Sequence, residues 1–497
     1  MKDEFEMTDA ISFRQGQSRH GRILIFTAVL FWFLPSQSEA AAPQAKTASA
    51  RPNIVFLLSD DQRPDTIAAL GNSIIKTPHL DQLVKQGTSF TRAVCANPIC
   101  TPSRAEILTG VGGFHNGSMD FGKPIKPELP TWAKTMHNAG YQSWYVGKWH
   151  NDGKPILRGY DETLGLFTGG GGRWAVPSYD GNGTLVTGYR GWIFQDDERH
   201  FFPEKGVGLS SNISEHFADA AIEFIQREHT QPFFLHVCFT APHDPLLMPI
   251  GYEQYYDPDK IPAPANFLPE HPFDHGNFDG RDEALLPWPR TKKIVQHDLS
   301  LYYSVISHLD AQVGRVVEAL KKSGQWENTI LIYSSDHGLA MGSHGLRGKQ
   351  NMYEHTVGVP LIMVGPGIPA DQRSAAQCYL RDLYPTSCDL AGVAIPETVE
   401  GKSLKPVLTG DKTAVYEEVY CYFRDYQRMI RTDRWKLILY PHLDRVQLFD
   451  LKNDPLEQHD LSQEASHQEP RDSLLHKLNA WRKQQNDASL TAARSQR

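Results

Sequence analysis

Residues 52–62 read PNIVFLLSDDQ. Five apolar residues in a row, Ile54 to Leu58, run into Ser59 and then a pair of acids, Asp60 and Asp61. An uninterrupted apolar run of this length reads as a strand buried on both faces, as in a parallel sheet. The same pattern returns downstream. PFFLHVCFTAPHDP (232–245) runs from an apolar strand into a Pro-rich loop, NTILIYSSDHG (328–338) again ends in acid, and VPLIMVGPG (359–367) supplies one more strand. Helical spacing alternates with these runs in HLDQLVKQG (79–87), ISEHFADAAIEFIQRE (213–228) and the long LSLYYSVISHLDAQVGRVVEALKKSG (299–324). LPTWAKTMHNAGYQSWYVGKWH (129–150) repeats the plan as helix, Gly140 and a strand ending at Gly147-Lys148.

This alternation predicts an α/β fold with a large, mostly parallel mixed sheet flanked by helices. The polar residues collect just after strands: Asp60-Asp61, Lys148, His243 and Asp336-His337. Ligands of open α/β sheets bind at the carboxyl ends of the strands. Four strands are therefore expected to deliver their chemistry to one edge. Near residue 400 the style changes. EVYCYF (418–423), QRMIRTDRWKLILY (427–440) and RVQLFDL (445–451) alternate like antiparallel strands, and RDSLLHKLNAWRKQQ (471–485) closes as a helix. The expected organisation is a catalytic domain over 51–400, a small C-terminal α+β subdomain with an antiparallel sheet over 401–485, and a frayed tail over 486–497. Two stretches, 151–208 and 242–295, read as long irregular loops. The first is rich in Gly, Trp and Tyr (TGGGGRWAVPSYDGNG, 168–183), which suits substrate contact or decorated surface.

The first 50 residues stand apart. SRHGR (18–22) is basic, ILIFTAVLFWFLP (23–35) is apolar but short for a bilayer, and SQSEA (36–40) ends in small residues. The pattern predicts a signal peptide over 1–40, cleaved near Ala40, then a linker over 41–50. The mature protein is expected to be periplasmic or secreted, without stable membrane insertion. The chain of 497 residues has a formal net charge of −8, so no global basic field attracts nucleic acid. Its six cysteines include no CxxC pair, which argues against a zinc ribbon. Export would permit disulfides, and an even count allows full pairing.

The acids Asp60, Asp61 and Asp336 with His337 would repel one another unless a cation neutralised them. An oxygen-rich set suits Ca²⁺ or Mg²⁺, and His337 fits that rule least well. Each pair on its own could also be a helix cap or turn. Lys148, His150, His243 and Lys349 are individually weak signals. Together with Arg104 they would surround a tetrahedral oxyanion beside a divalent cation, which is the logic of phosphoryl or sulfuryl transfer. Other polar residues have plainer readings. Tyr302, Tyr303, His308 and Asp310 suit packing and capping, and His344, Glu354 and His355 could orient Lys349 or only bond their loop.

Here the residues carry a resemblance. CTPSRAEILTG (100–110) is similar to the C-x-P-S-R…T-G signature of type I sulfatases of the alkaline-phosphatase-like superfamily. GYQSWYVGKWH (140–150) resembles the second signature of that family. SDDQ (59–62), APHDP (241–245), SSDHG (334–338) and GKQNMYEH (348–355) stand in the family's order, and the likeness extends over about residues 51–455. The resemblance implies that Cys100 is oxidised to Cα-formylglycine by a formylglycine-generating enzyme, which reads the Pro and Arg of the motif. The hydrated aldehyde is then the nucleophile: one hydroxyl attacks sulfur and the other expels sulfate. It also implies Ca²⁺ held by Asp60, Asp61, Asp336, His337 and the converted Cys100, with Mg²⁺ allowed by the ligand set alone. Arg104 would hold the diol, and Lys148 and Lys349 would neutralise sulfate oxygens. His243 with Lys349 would protonate the leaving oxygen, and His150 would take the proton during sulfate release. The pH–rate profile is then expected to be bell-shaped. The expected activity is sulfuric ester hydrolysis on a sulfated carbohydrate. The alternatives are a phosphonate monoesterase or phosphodiesterase of the same superfamily, and an inactive module that binds sulfated glycans.

Overall fold

The computed structural model describes residues 51–490. The expected signal peptide, linker and last seven residues lie outside the described residues. Nine strands form one sheet: β1 (Asn53–Ser59), β2 (Thr88–Val94), β3 (Gln142–Lys148), β4 (Glu162–Gly169), β5 (Trp192–Gln195), β6 (Phe233–Cys238), β7 (Thr329–Ser335), β8 (Leu361–Val364) and β9 (Gln372–Tyr379). Their order is β5-β4-β3-β6-β1-β7-β8-β2-β9. β5 and β8 run antiparallel to their neighbours, and the other pairings are parallel. The first strand sits mid-sheet between β6 and β7, and every residue of it is buried. That is why it reads as an apolar run rather than an alternation.

Successive residues of β1 serve two cores. Ile54, Phe56 and Leu58 pack with Ile107, Trp132, Met136 and Leu383. Val55 and Leu57 pack with Leu83, Phe217, Phe224, Val313 and Leu320 on the other face. Helices Cys100–Thr109, Trp132–Asn138 and Leu383–Leu390 therefore cover one side. Helices Pro78–Gln86, Ile213–Gln226 and the 31-residue Lys292–Lys322 cover the other. The long helix starts seven residues before the apolar spacing declares it. Thr291 caps it, accepting from the Ile294 N–H at 3.2 Å. The 151–208 stretch, expected as loop, contributes β4 and β5. Gly165, inside β4 at φ +58°, hid that strand, and β5 is only four residues long.

The C-terminal strands β10 (Val419–Phe423), β11 (Gln427–Arg431), β12 (Trp435–Tyr440) and β13 (Arg445–Asp450) form a separate antiparallel sheet in sequence order. One face receives helix Gln468–Gln484 through Leu474 and Leu478. The other packs Cys421, Phe423, Met429 and Ile438 against Val94, Ile99 and Met352. Tyr422 also donates its hydroxyl to Glu106 at 2.8 Å. The second sheet thus braces the helix that begins at Cys100. All six cysteines are free and buried, so the possible disulfides are absent among the described residues.

The expected fraying does not begin at residue 486. Asp487 is buried, accepts two bonds of 2.7 Å from the Arg428 guanidinium and is 3.1 Å from Arg482 Nε. Burial pushes the Asp487 carboxyl up, but Arg428 wins and holds it at about 2. Its folded pKa lies below its unfolded value, so its stabilisation is present above about pH 4 and is lost as pH falls toward 2. Asp487→Asn is expected to cost about 2 kcal/mol at neutral pH. Urea unfolding of both chains at pH 7 and pH 3 checks this, and the gap must shrink at the lower pH.

Candidate active site

The parallel strands explain how distant residues meet. β1, β3, β6 and β7 all end on one edge of the sheet. Asp60-Asp61 follow β1, Lys148 ends β3, His243 follows β6, and Asp336-His337 follow β7. Backbone bonds lace these ends together: Asp60 N–H donates to Ala241 O at 3.0 Å and Asp336 N–H to Ser59 O at 3.2 Å. Gly147 is required just before Lys148. Its φ is +93°, and a Cβ there would meet Cys238 O at 2.0 Å. Cys100 opens the helix Cys100–Thr109, whose N-terminus favours an anion. Lys349 comes from the loop between β7 and β8. That loop is clamped by the buried Glu283, which accepts from Arg347 N–H at 2.8 Å and Gly348 N–H at 2.9 Å.

All ten expected site residues come together. Cys100 Sγ lies 3.3 Å from His337 Nε2, 3.6 Å from Asp60 Oδ1 and 3.6 Å from Lys349 Nζ. Lys349 Nζ donates to both Asp61 oxygens at 2.8 and 2.9 Å. Arg104 Nε donates to Asp336 Oδ2 at 3.0 Å, while its Nη2 is buried without a hydrogen-bond partner, 3.6 Å from Asp60 Oδ1. His243 Nδ1 is 2.6 Å from Asp244 O, and its Nε2 is 3.8 Å from Asp61 Oδ2. His150 rests edge-on against Trp192 with ring centroids 5.0 Å apart, and its Nδ1 has no partner. Cys100, His150, His243 and Lys349 line a cavity of about 680 Å³. Lys148 is fully buried, does not line that cavity, and donates to Asp60 Oδ2 at 2.5 Å.

One ligand atom from each of Asp60, Cys100, Asp336 and His337 lies within 4.8 Å of the others, and Asp61, Cys100 and His243 form a second such group. The electrostatics ask for a cation here. Burial and the neighbouring acids push Asp61 up to about 6, although Lys349 and His337 pull it down. His337 would be lowered by burial, yet Asp336 and Asp61 drive it up to about 10. The His337 shift reflects the acids gathered around it, and an oxygen-rich donor set suits a hard divalent cation. Asp60 is held well below the carboxylate range because Lys148 and Arg104 outweigh its burial.

The sequence did not single out Tyr189. It lies in the Gly- and aromatic-rich stretch, where no periodicity marks one ring from another. Its hydroxyl donates to Asp60 Oδ2 at 2.6 Å, and its ring meets His243 at 4.8 Å and Trp192 at 4.9 Å. The backbone sits at φ +58°, a strained place for an aromatic residue. With Lys148 on the same oxygen, Asp60 keeps only Oδ1 turned toward Cys100. Tyr189→Phe keeps the ring and removes that bond. It is expected to lower metal affinity and kcat/KM by about 10–100-fold, measured by chelator competition and initial rates. Tyr302 is a second unforeseen support, donating to Asp61 O at 2.6 Å. His344, Glu354 and His355 do not touch Lys349. His344 stacks on Tyr353 and lies 3.2 Å from His355, and Glu354 pairs with Arg431 and Lys436. Asp310 caps helix Pro78–Gln86, accepting from the His79 and Leu80 N–H groups.

The sulfatase family model matches residues 52–393, and the model of the N-sulphoglucosamine sulphohydrolase C-terminal region matches 342–484. The chain belongs to the sulfatase family. It is therefore a hydrolase acting on sulfuric esters. It is 27% identical to an N-acetylglucosamine-6-O-sulfatase of Bacteroides thetaiotaomicron, over 91% of this chain and 90% of the relative. A protein solved in complex with its substrate D-glucosamine-2-N,6-O-disulfate superposes with a TM-score of 0.73 and 25% identity, covering 88% of this sulfatase and 99% of that chain. The phosphonate monoester hydrolase of Silicibacter pomeroyi shares the fold, with a TM-score of 0.73 and 23% identity over 88% and 97% of the two chains.

Proposed function

We propose that this sulfatase removes sulfate from a sulfated carbohydrate after export, with Cys100 converted to formylglycine and one Ca²⁺ bound. The observation that carries the reading is the convergence of Cys100, Lys349, His243 and His150 at the inner end of one cavity, above three buried carboxylates. The N-acetylglucosamine-6-O-sulfatase relative and the neighbour solved with a glucosamine disulfate support a sugar substrate. Asp60, Asp61, Asp336, His337 and the converted Cys100 would hold the cation, which supplies Lewis acidity toward the sulfate and the attacking hydroxyl. The hydrated formylglycine supplies that hydroxyl and a second one whose deprotonation frees sulfate.

The chain's own residues do the remaining work. Arg104 Nη2 is the unpaired donor available to the nucleophile's oxygen. Lys349 carries a proton and a positive charge at the cavity's inner end, and His243 beside it holds the leaving oxygen's path. His150 accepts the proton of the release step. Lys148 acts from behind by fixing Asp60. None of the motif's Cys, Arg or acidic residues is lost, which speaks against a binding-only module. An N-terminal segment of signal-peptide pattern supports export, and among the described residues no helix is long and apolar enough to cross a membrane.

The test is mass spectrometry of the tryptic peptide Ala93–Arg104 from cells that supply a formylglycine-generating enzyme. It holds both Cys95 and Cys100. An aldehyde at Cys100, followed by faster hydrolysis of a sugar sulfate than of a matched phosphate diester, is the expected result. Two intact thiols in cells that modify a control sulfatase would refute the nucleophile.

The pH profile follows from the same groups. Burial, Lys148 and Arg104 hold His150 well below the ordinary imidazole pKa, so it stays neutral into acid. Burial would lower Lys349, but Asp61 raises it well above the lysine range, so its proton survives into alkali. The bell is therefore expected to be wide, with its acid limb below about pH 6.5. An acid limb in kcat/KM at or above that value would contradict the role of His150.

A further inference from the structure

Beyond the sulfate-binding end, the cavity continues outward past a wall formed by Asp274, residues 276–282, Phe121, Trp192, Gln350, Arg424 and Tyr426. We propose that this outer part is a subsite for a sugar ring that carries no negative group besides the sulfate being removed. The inference rests on the carbohydrate reading above and narrows its substrate class.

The charge balance of the wall carries the argument. Its two arginines are each paired with acids. Arg281 donates to both oxygens of Asp244 and to Asp282, and its Nε reaches Thr187 Oγ1 at 3.3 Å. Arg424 pairs with Asp120 at 2.9 and 3.1 Å. Asp274 and Asp279, in contrast, are exposed on the wall and make no ion pair among the described residues. The outer cavity therefore offers two carboxylates without an ion-pair partner, Asp274 accepting only the Gly276 N–H, and no arginine without one among the described residues. Carboxylates accept hydrogen bonds from sugar hydroxyls, but a second sulfate or a uronate would meet like charge.

A second observation marks the wall as built for a polar, uncharged group. Gln350 is 7% exposed and lines the cavity. Its Oε1 accepts from Asn277 Nδ2 at 2.5 Å, and its backbone carbonyl is pinned by Gln427 Nε2 at 2.9 Å. Its own amide nitrogen has no protein partner among the described residues, which leaves one donor for a ligand. Trp192, Phe278 and Tyr426 add apolar faces of the kind that sugar rings cover. This wall differs in demand from a site that takes the disulfated glucosamine of the structural neighbour.

The experiment compares matched pairs of glucosamine O-sulfates on the formylglycine-bearing enzyme. Each pair shares the O-sulfate position and differs only in an N-acetyl or N-sulfo group. The expected result is a kcat/KM at least ~10-fold higher for the N-acetyl member of the hydrolysed pair. The gap should narrow in Asp279→Asn, in an exposed segment where folding is not at risk, and narrow again at raised salt. Equal or faster turnover of the N-sulfo member would overturn the inference and leave the carbohydrate reading standing. So would a gap unmoved in an Asp274→Asn, Asp279→Asn double variant. Turnover of an aryl sulfate with none of any sugar sulfate would overturn both.

Discussion

Cys100→Ala is expected to lower kcat/KM by at least ~10⁴-fold while leaving the fold in place. The thiol is 1% exposed, yet it lines the cavity, and its nearest polar neighbours are His337, Asp60 and Lys349. It is the cysteine of the lining and the one in the C-x-P-S-R motif. Cys95, five residues earlier, gives the control. It is buried in the core against Thr356 O and Cys421, and burial pushes its thiol well above the ordinary range. Cys95→Ala is expected to cost about 1 kcal/mol of stability and to leave the rate nearly unchanged. Initial rates and thermal melts on the two variants separate the roles. Comparable rate losses in both would mean that the nucleophile has been misplaced.

The sheet's centre was legible because β1, β6 and β7 are buried on both faces, so their apolar runs are unbroken and end in polar residues. The edge was not. β4 carries glycines, β5 is only four residues long, and both stand beside irregular chain, so their pairing comes from tertiary contact that no local spacing encodes. The site was legible for a related reason. Each motif follows a strand, and parallel strands bring their ends to one edge whatever their separation in sequence. What could not be read was the supporting layer. Tyr189 reaches Asp60 from a loop, Tyr302 reaches the Asp61 carbonyl from mid-helix, and Glu283 holds the Lys349 loop from below. These contacts depend on the path of the chain between motifs. The partner of Lys148 is of the same kind: its motif shows that a lysine ends β3, while only the packing shows that Asp60 receives it.

The buried ion pairs also sort by purpose. Arg428 with Asp487 joins the C-terminal strands to the last described residues, and Lys436 with Glu354 and Glu457 joins β12 to the loop after β7. Neither reaches the cavity. The pairs around Asp60, Asp61 and Asp336 lie within reach of Cys100, which lines it, and there Arg104 Nη2 is left without a hydrogen-bond partner. A site that is not fully satisfied by its own chain is one prepared for a cation and an anion.

Arg104→Lys tests that idea most severely. Arg104 is buried between two acids, with Nε on Asp336 at 3.0 Å, Nη2 at 3.6 Å from Asp60 and Nη1 on Lys148 O at 3.4 Å. A lysine keeps the charge but cannot hold three directions at once, so it must abandon at least one. The donor at Nη2 is the one left for the nucleophile, and losing such a donor costs about 10²–10³ in kcat. The same substitution alters the C-x-P-x-R motif, so the modified fraction of Cys100 must be measured alongside the rate. If the rate per formylglycine-bearing chain falls by that factor, Arg104 acts on the reacting atoms. If it is restored once unmodified chains are discounted, Arg104 serves maturation alone, and the unpaired guanidinium nitrogen has no part in turnover.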